Sequence, residues 1–514
     1  MAQDVETEEK KIAQDGGGPD ANDTDQVTVL AQPAAGRWDR LWSAVRKAAA
    51  FGRVEVRGIT PIPVKERTVE KTINVFTLWW SMNTNILGIT FGMIAPVYEL
   101  RLRDAALVIL FFTLLATTLP AYFCTLGPKL GMRQMMQARY SFGRYLVSIP
   151  VLLNLATITG FCVIMAVIGG QCLSSVSDNG RVSVVVGIVI TAVVAIAISF
   201  CGFTVLHMYE RYAWIPALIS IAVATGTGGK ELVAHAVAHD ADLPPATAPA
   251  ILSYGMIVAS YMVSWACLAS DFSTYLKPDT SSLKIFTYSY LGLAVPTILL
   301  MTLGAAIGNT IPHVPAWQAA YDRTLVGGVL AAMLRPAGGF GRLLVALLAF
   351  SLLGNLAATT YSVTLNLQLL VPPLARVPRY VFSAVTAAVV IPLAIAAAHD
   401  FFVTLENVVS LIGYWTSAFT AILLVEHLAF RRGDCSSQGY DPDAWDDARR
   451  LPWGAAAVAA GALAFGLVVP SMAQVYWTGP IAEKTGDIGF EVAFALAGTL
   501  YVPLRWAEKR WAGR

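Results

Sequence analysis

Charged residues are scarce in this chain: Asp, Glu, Lys and Arg make up only 14% of its 514 residues, against about 25% in ordinary soluble domains. Neither sign dominates, since 36 basic and 34 acidic residues leave a formal net charge of +2. That excludes a nucleic-acid binder built on a basic face and implies no charged partner. The six cysteines are scattered, five of them in apolar stretches, with no metal-ligand or redox spacing. A disulfide-stapled secreted module is excluded, and each cysteine reads as a small buried hydrophobe. No H-E-x-x-H, G-x-S-x-G or G-x-x-x-x-G-K-[ST] motif occurs, so no catalytic set competes for the reading. An apolar signal core near the N-terminus is also missing.

Apolar residues are what the chain has in abundance. They make up 56% of it, and mean hydropathy is +0.59. Residues 1–55 are a polar tail unable to bury enough surface to fold alone. Asn22-Asp23-Thr24 fits a glycosylation sequon but falls in that tail, on the side assigned below to the cytoplasm, and reads as chance. Twelve apolar stretches then follow, near 74–98, 104–126, 148–173, 182–203, 213–226, 251–270, 285–308, 342–370, 380–398, 402–425, 452–472 and 488–504. A helix needs about 20 apolar residues to cross a bilayer core. The predicted class is an all-α polytopic membrane protein of twelve transmembrane helices, spanning residues 56–505, with a short tail over 506–514. The fifth stretch is short and requires its helix to begin earlier, at His207 to Arg211.

Lysine and arginine set the expected orientation. With the N-terminus inside, 28 of the 36 basic residues fall on the inner side and 8 on the outer, which predicts that both termini are cytoplasmic.

Two stretches carry polar or weak residues at mid-depth. The first holds Ser81, Asn83, Thr84 and Asn85, followed by Gly88, Gly92 and Pro96. The sixth runs from Ser260 through Ser264, Trp265 and Cys267 to Ser270. The second lies five stretches after the first, which predicts a five-plus-five inverted repeat with helices 1 and 6 broken. Unwound backbone is tolerated in a membrane only where it lines a cavity or site. The alternative is that Asn and Ser simply hold helices together.

The motifs then resemble one family. They include Gly58-Ile59-x-Pro61-Ile62-Pro63, Arg67-Thr68, Trp79-x-Ser81-x-Asn83-x-Asn85, Gly127-Pro128-Lys129-x-Gly131-Met132-Arg133 and Arg139-Tyr140-Ser141-Phe142-Gly143. Tyr209-Glu210-Arg211-Tyr212, Ser270-Asp271-Phe272, Ile412-Gly413-Tyr414-Trp415 and Glu426-His427 continue the series. From about 56 to 500 the chain resembles the fungal-type purine–cytosine permeases of the nucleobase:cation symporter-1 family. The resemblance implies a LeuT-type fold, with helices 1–5 and 6–10 as inverted halves and the last two helices peripheral. It implies uptake of a small N-heterocycle across the plasma membrane, driven by a cation gradient and without a cofactor. Protons are the expected ion, because Ser351 is the one hydroxyl in Phe350 to Gly354 that could serve Na⁺, which wants several oxygen ligands.

The family sandwiches its flat ligand between a Trp on helix 3 and a Trp on helix 6. The second falls at Trp265; the first position is Phe161 here. Four residues on, an Asn common in purine and cytosine carriers is Met165, and a Pro-Asn pair on helix 8 becomes Ala358-Thr359. With Ser81, Asn83 and Ser264 these form the expected substrate-binding set. The pocket should be more apolar than a cytosine site and favour an alkylated ring such as a B6 vitamer or a specialised metabolite. Glu210 is a candidate for proton coupling, or an interfacial carboxylate paired with Arg211 or a loop Lys. Asp271 is a candidate inner gate, pairing with Lys277 or the basic 129–144 loop, or else a solvated helix end. Trp415 either closes the outer side of the pocket or packs. The partners implied are a small heterocycle and the lipid bilayer. A non-transporting nutrient sensor and an exporter are the readings from other classes.

Overall fold

Polar side chains decide where the first apolar stretch stops being helical. In the computed structural model the described residues are 58–176, 181–200, 211–237, 243–371, 373–374, 377 and 379–513. Helix α1 (Ile73–Asn83) ends and α2 (Ile86–Gly92) begins across Thr84 and Asn85, whose backbones are not helical. Thr84 Oγ1 donates to Trp80 O at 2.7 Å and Asn83 Nδ2 to Trp79 O at 2.9 Å. Asn85 Oδ1 accepts from Leu87 N at 2.8 Å, capping α2. The residues that weaken the span are therefore the ones that satisfy its broken backbone.

Next come α3 (Leu102–Leu130), two single turns, α4 (Gln134–Gln137) and α5 (Arg139–Phe142), then α6 (Ser148–Ser175), α7 (Val184–Phe200) and α8 (Trp214–His235). The sixth stretch is α9 (Ala248–Val263), which passes into two 3₁₀ turns, Ser264–Cys267 and Ala269–Phe272. Both breaks expected from the sequence are present. Beyond them lie α10 (Ser282–Thr310), α11 (Pro315–Leu334), α12 (Gly338–Phe350), α13 (Leu353–Leu370), α14 (Arg379–Ala397), α15 (Phe401–Val425), α16 (Ala455–Ser471) and α17 (Gly489–Ala512).

Among the described residues the apolar stretches are mainly helical, and six helical segments are long and apolar enough to cross a membrane by length and composition. Four shorter apolar helices accompany them. Helix α11 was not expected, because its sequence mixes charge with small residues. The stretch at 342–370 is two helices, interrupted at Ser351 and Leu352.

The helices pack in two groups. One holds α1, α2, α3, α9 and α10; the other holds α6, α7, α13 and α14, with α11 laid on α6. In the first group α2 meets α10 backbone to backbone: a Cβ on Gly92 would lie 2.0 Å from Met301 O, and one on Gly304 2.1 Å from Ile89 O. Large apolar side chains such as Phe111, Leu115, Val193, Leu299 and Val385 remain exposed around the outside. Such a belt suits hydrocarbon rather than water.

The last two helices join the rest of the fold mainly through α15. Helix α17 packs on both α15 and α16. Glu426, in a π-helical turn that extends α15, accepts from Arg505 Nε at 3.1 Å and from Tyr501 Oη at 2.9 Å.

The family-like motifs at one end are largely backbone anchors. Arg67 donates to Ile62 O at 2.8 Å and Pro128 O at 2.9 Å, and also reaches Lys129 O and Leu130 O. It thus takes up carbonyls that the end of α3 leaves free. Gly131 caps that helix at φ +65. Burial lowers the Arg67 pKa from its ordinary value.

Candidate functional site

The two helix breaks and α6 and α13 enclose a cavity. Phe161 and Thr157 of α6, Trp265 and Ser264 at the α9 break, Tyr261 of α9 and Thr359 of α13 line it. Asn355 and Leu87 complete the polar and apolar sides. No charged residue is among the lining.

Aromatic contacts fix the walls. Trp265 meets Trp79 edge-on at 5.5 Å between ring centroids, and Phe161 meets Tyr261 edge-on at 6.4 Å. Tyr261 also packs on Phe91 of α2 at 4.7 Å. The Trp265 indole N–H is buried and has no hydrogen-bond partner among the described residues. A buried donor left unpaired costs about 1–3 kcal/mol, so a ligand acceptor placed there would recover that energy.

The polar side is built from α13. Thr359 Oγ1 donates to Asn355 O at 2.7 Å, one turn back. Asn355 Nδ2 donates to Met82 O at 3.2 Å, a carbonyl freed at the α1–α2 break. This leaves Asn355 Oδ1 beside the Thr359 hydroxyl at 3.3 Å. Asn355 was not among the expected site residues. The signal was present, since it lies four residues before Thr359 and so on the same helix face. The loss of an amide at position 359 is thus partly offset one turn away.

Of the expected binding set, Phe161, Ser264, Trp265 and Thr359 line the cavity. Met165 and Ala358 are buried but not on its lining. Ser81 is buried on α1 and also off the lining. Asn83 is spent on structure, donating to Trp79 O and accepting from Tyr261 Oη at 3.4 Å. Trp415 stands behind the wall, its indole N–H donating to Thr157 Oγ1 at 2.9 Å. Glu210 lies outside the described residues.

Asp271 takes a different partner from the lysine expected. The Lys277 ammonium goes to Glu70, at 2.5 Å. Asp271 Oδ1 accepts from the Gln134 backbone N–H at 2.7 Å, and its carbonyl accepts from Arg133. Arg133 also donates to Tyr361 Oη at 2.9 Å. The short α4 turn thereby ties the end of the α9 break to α13, from opposite helix groups. Asp271 thus meets the 129–144 loop through its carbonyl, to Arg133, and through its carboxylate, to the Gln134 N–H. Ser351 Oγ donates to Leu348 O at 2.6 Å.

Over residues 61–492 the chain matches the family described as permease for cytosine/purines, uracil, thiamine, allantoin. It belongs to this permease family. Family membership makes the chain a transporter rather than an enzyme, and a multi-pass membrane protein. The purine-cytosine permease fcyB of Emericella nidulans is 32% identical to this permease over 487 residues, covering 93% of each chain. A vitamin B6 transporter of Saccharomyces cerevisiae is 28% identical over 521 residues, covering 91% of this permease and 90% of its own length. Among solved structures, Mhp1 superposes with a TM-score of 0.64 at 17% identity, covering 89% of this permease and 96% of Mhp1. Mhp1 is a nucleobase-cation-symport-1 family transporter, there closed with bromovinylhydantoin bound. At that identity the likeness establishes the fold: this permease has the inverted-repeat architecture with broken helices 1 and 6.

Proposed function

We propose that this permease imports a nucleobase, of purine or cytosine type, by cation-driven symport. The observation that carries the reading is the cavity at the two helix breaks, where Phe161 and Trp265 offer aromatic faces and Asn355 and Thr359 offer polar atoms. A flat heterocycle stacks on such faces and presents its edge to α13. The free Trp265 N–H supplies a donor for a ring nitrogen or carbonyl. Relatives named as purine-cytosine permeases support the substrate class. Ser264 and the backbone at the break add polar contacts; Ser81, Asn83, Met165 and Ala358 support the walls from behind.

Alternating access follows from the two helix groups, with α1–α2, α3, α9 and α10 rocking against α6, α7, α13 and α14. In this reading the Arg133–Asp271 link is the inner gate and Trp415 backs the outer wall through Thr157. Protons are the coupling ion, with Glu210 as the coupling carboxylate, and no cofactor is needed. The site is the plasma membrane, with both termini cytoplasmic. Uptake of labelled cytosine, adenine, hypoxanthine and pyridoxine, with and without a protonophore, tests the whole reading in cells lacking their own permeases. Protonophore-sensitive accumulation of a base is expected. Accumulation of none of the four overturns it.

A second reading, import of a B6-type ring, is favoured by the uncharged, largely apolar lining and by the vitamin B6 relative. Uptake of pyridoxine without any base would select it.

A further inference from the structure

The run Arg139-Tyr140-Ser141-Phe142-Gly143 has no part in the cavity. It is gripped instead by residues 431–454, the segment between α15 and α16. Arg431 Nη2 donates to Tyr140 O at 2.9 Å, and Tyr140 Oη donates to Asp441 O at 2.5 Å. Glycines let the two backbones touch. A Cβ on Gly143 would run into Pro452 O, and one on Gly454, at φ +83, into Phe142 O. Helix α16 then packs on α5.

Arg139 is the charged centre of this contact. Its side chain is 0% exposed, and Nη1 donates to Asp446 Oδ1 at 2.8 Å and to Trp445 O at 2.9 Å. The guanidinium lies over the Trp445 ring, 5.1 Å from its centroid. Nε and Nη2 are buried and have no hydrogen-bond partner among the described residues. Asp446 is the carboxylate that pairs with this cation, although it is 46% exposed and shared with Arg144 at 2.5 Å. Burial pushes the Arg139 guanidinium down to about 10; Arg144 adds to that and Asp446 opposes it. A buried charge with one counter-ion depends on it strongly.

The same short stretch carries the inner link. Ala138, between α4 and α5, is itself helical, so residues 134–142 form one helical run. At its start the Gln134 N–H donates to Asp271 Oδ1, and Gln134 Oε1 accepts from the Ser270 N–H at 3.3 Å. Roughly 9 Å of helix, at about 1.5 Å per residue, separates Arg133 from Arg139. A shift of α5 is therefore passed on to Arg133 and Gln134.

We propose that Asp446 is a positioning residue for the inner gate: through Arg139 it seats the 134–142 run so that Arg133 and Gln134 meet the helix break at Asp271. This rests on the reading of the Arg133–Asp271 link as that gate.

An impermeant maleimide tests it on the full chain in vesicles, applied from the end of the bundle that carries Arg133, with the single-cysteine variant Thr359→Cys as reporter. Rates are taken per folded molecule. Arg133→Ala should speed alkylation, which checks the gate reading itself. Asp446→Asn, which keeps the shape and removes the charge, should speed it by about fivefold or more, the lower end of the coupling between linked sites. Asp446→Glu should restore the parental rate. Asp446→Asn added to Arg133→Ala should give no further increase, because both act on one link. A role in packing alone would lower the melting midpoint and leave the alkylation of folded molecules unchanged. Parental alkylation in Asp446→Asn beside faster alkylation in Arg133→Ala would overturn the positioning role and leave the gate standing. No increase in either would overturn both. Additive increases, or no recovery with Asp446→Glu, would also overturn the positioning role.

Discussion

Arg505 of α17 donates from Nε to a carboxylate oxygen of Glu426 at 3.1 Å, with side chains only 3% and 2% exposed. The same arginine holds Glu508 at 2.7 Å, and Glu426 also takes Arg431 at 2.9 Å. A buried network of this kind fixes geometry more than it adds net stability. It makes α17 part of the frame that holds α15, the helix that carries Trp415.

Without Arg505, Glu426 keeps Arg431 and the Tyr501 hydroxyl, and Glu508 keeps the Ala455 N–H. Arg505→Ala should therefore destabilise the protein by about 1–3 kcal/mol, the usual cost of a buried polar group that loses a partner. The expected result is a lower melting midpoint in detergent and poor recovery from the membrane. Arg505→Ala with a parental midpoint would mean that water relieves Glu426.

Trp265 tests the site. Trp265→Ala should abolish uptake at normal expression, because stacking surface and N–H vanish together. Trp265→Phe keeps an aromatic face and should raise KM by about tenfold, the worth of one hydrogen bond near 1.4 kcal/mol. Equal KM for Trp265→Phe would show that the indole N–H plays no part in binding.

Asn355 has two duties and Thr359 one. Asn355→Ala leaves Met82 O to Asn85 Nδ2 alone, at 2.7 Å, as well as losing the amide from the cavity, so it should lower kcat/KM by about tenfold, roughly a hydrogen bond's worth. Thr359→Val should change substrate preference with a smaller loss of rate. Uptake assays with cytosine and pyridoxine in parallel separate the two.

Arg133 links α4 to both helix groups through Asp271 O and Tyr361 Oη. Its ring contacts with Tyr275 and Tyr361, at 5.6 and 5.7 Å, suit a planar guanidinium and not an ammonium. Arg133→Lys should therefore behave like Arg133→Ala: slow uptake, and faster alkylation of the single-cysteine variant Thr359→Cys from the end of the bundle that carries Arg133. Unchanged alkylation would remove the gate from the proposal.

Glu70 and Lys277 close the same end at the surface, and the ammonium holds the Glu70 carboxyl below its ordinary range. A lowered carboxyl contributes fully above its unfolded value of about 4.3 and is lost only as pH falls through the lower folded value. Acidification from about pH 7 to about pH 5.5 therefore leaves this pair intact. Glu70→Gln should keep the shape of the uptake–pH profile across that window; a changed shape would mean that the pair titrates within it.

Much of the architecture was legible because membranes punish exceptions. Asn83, Thr84 and Asn85 in the middle of an apolar run had to mark a break, and their side chains do bond the freed carbonyls and amides. Trp265 stood out for the same reason. Helix α11 was illegible because its mixture of Asp322, Arg323 and alanines carries no long apolar run. The sequence offered Asp271 two partners, Lys277 and the 129–144 loop, without choosing between them. Lys277 is nearer in sequence, but the fold carries it to Glu70, 207 residues away in the chain.

Composition and the polar residues at mid-span by themselves determined the class and the two interruptions, because hydrophobic transfer and backbone satisfaction act locally and leave a local record. Only the tertiary structure decided which face of α6 and α13 lines the cavity. Phe161 and Cys162, or Ala358 and Thr359, are equally apolar or equally small neighbours to a sequence reader. Their separate environments come from the rotation of each packed helix against its partners, which no residue fixes alone.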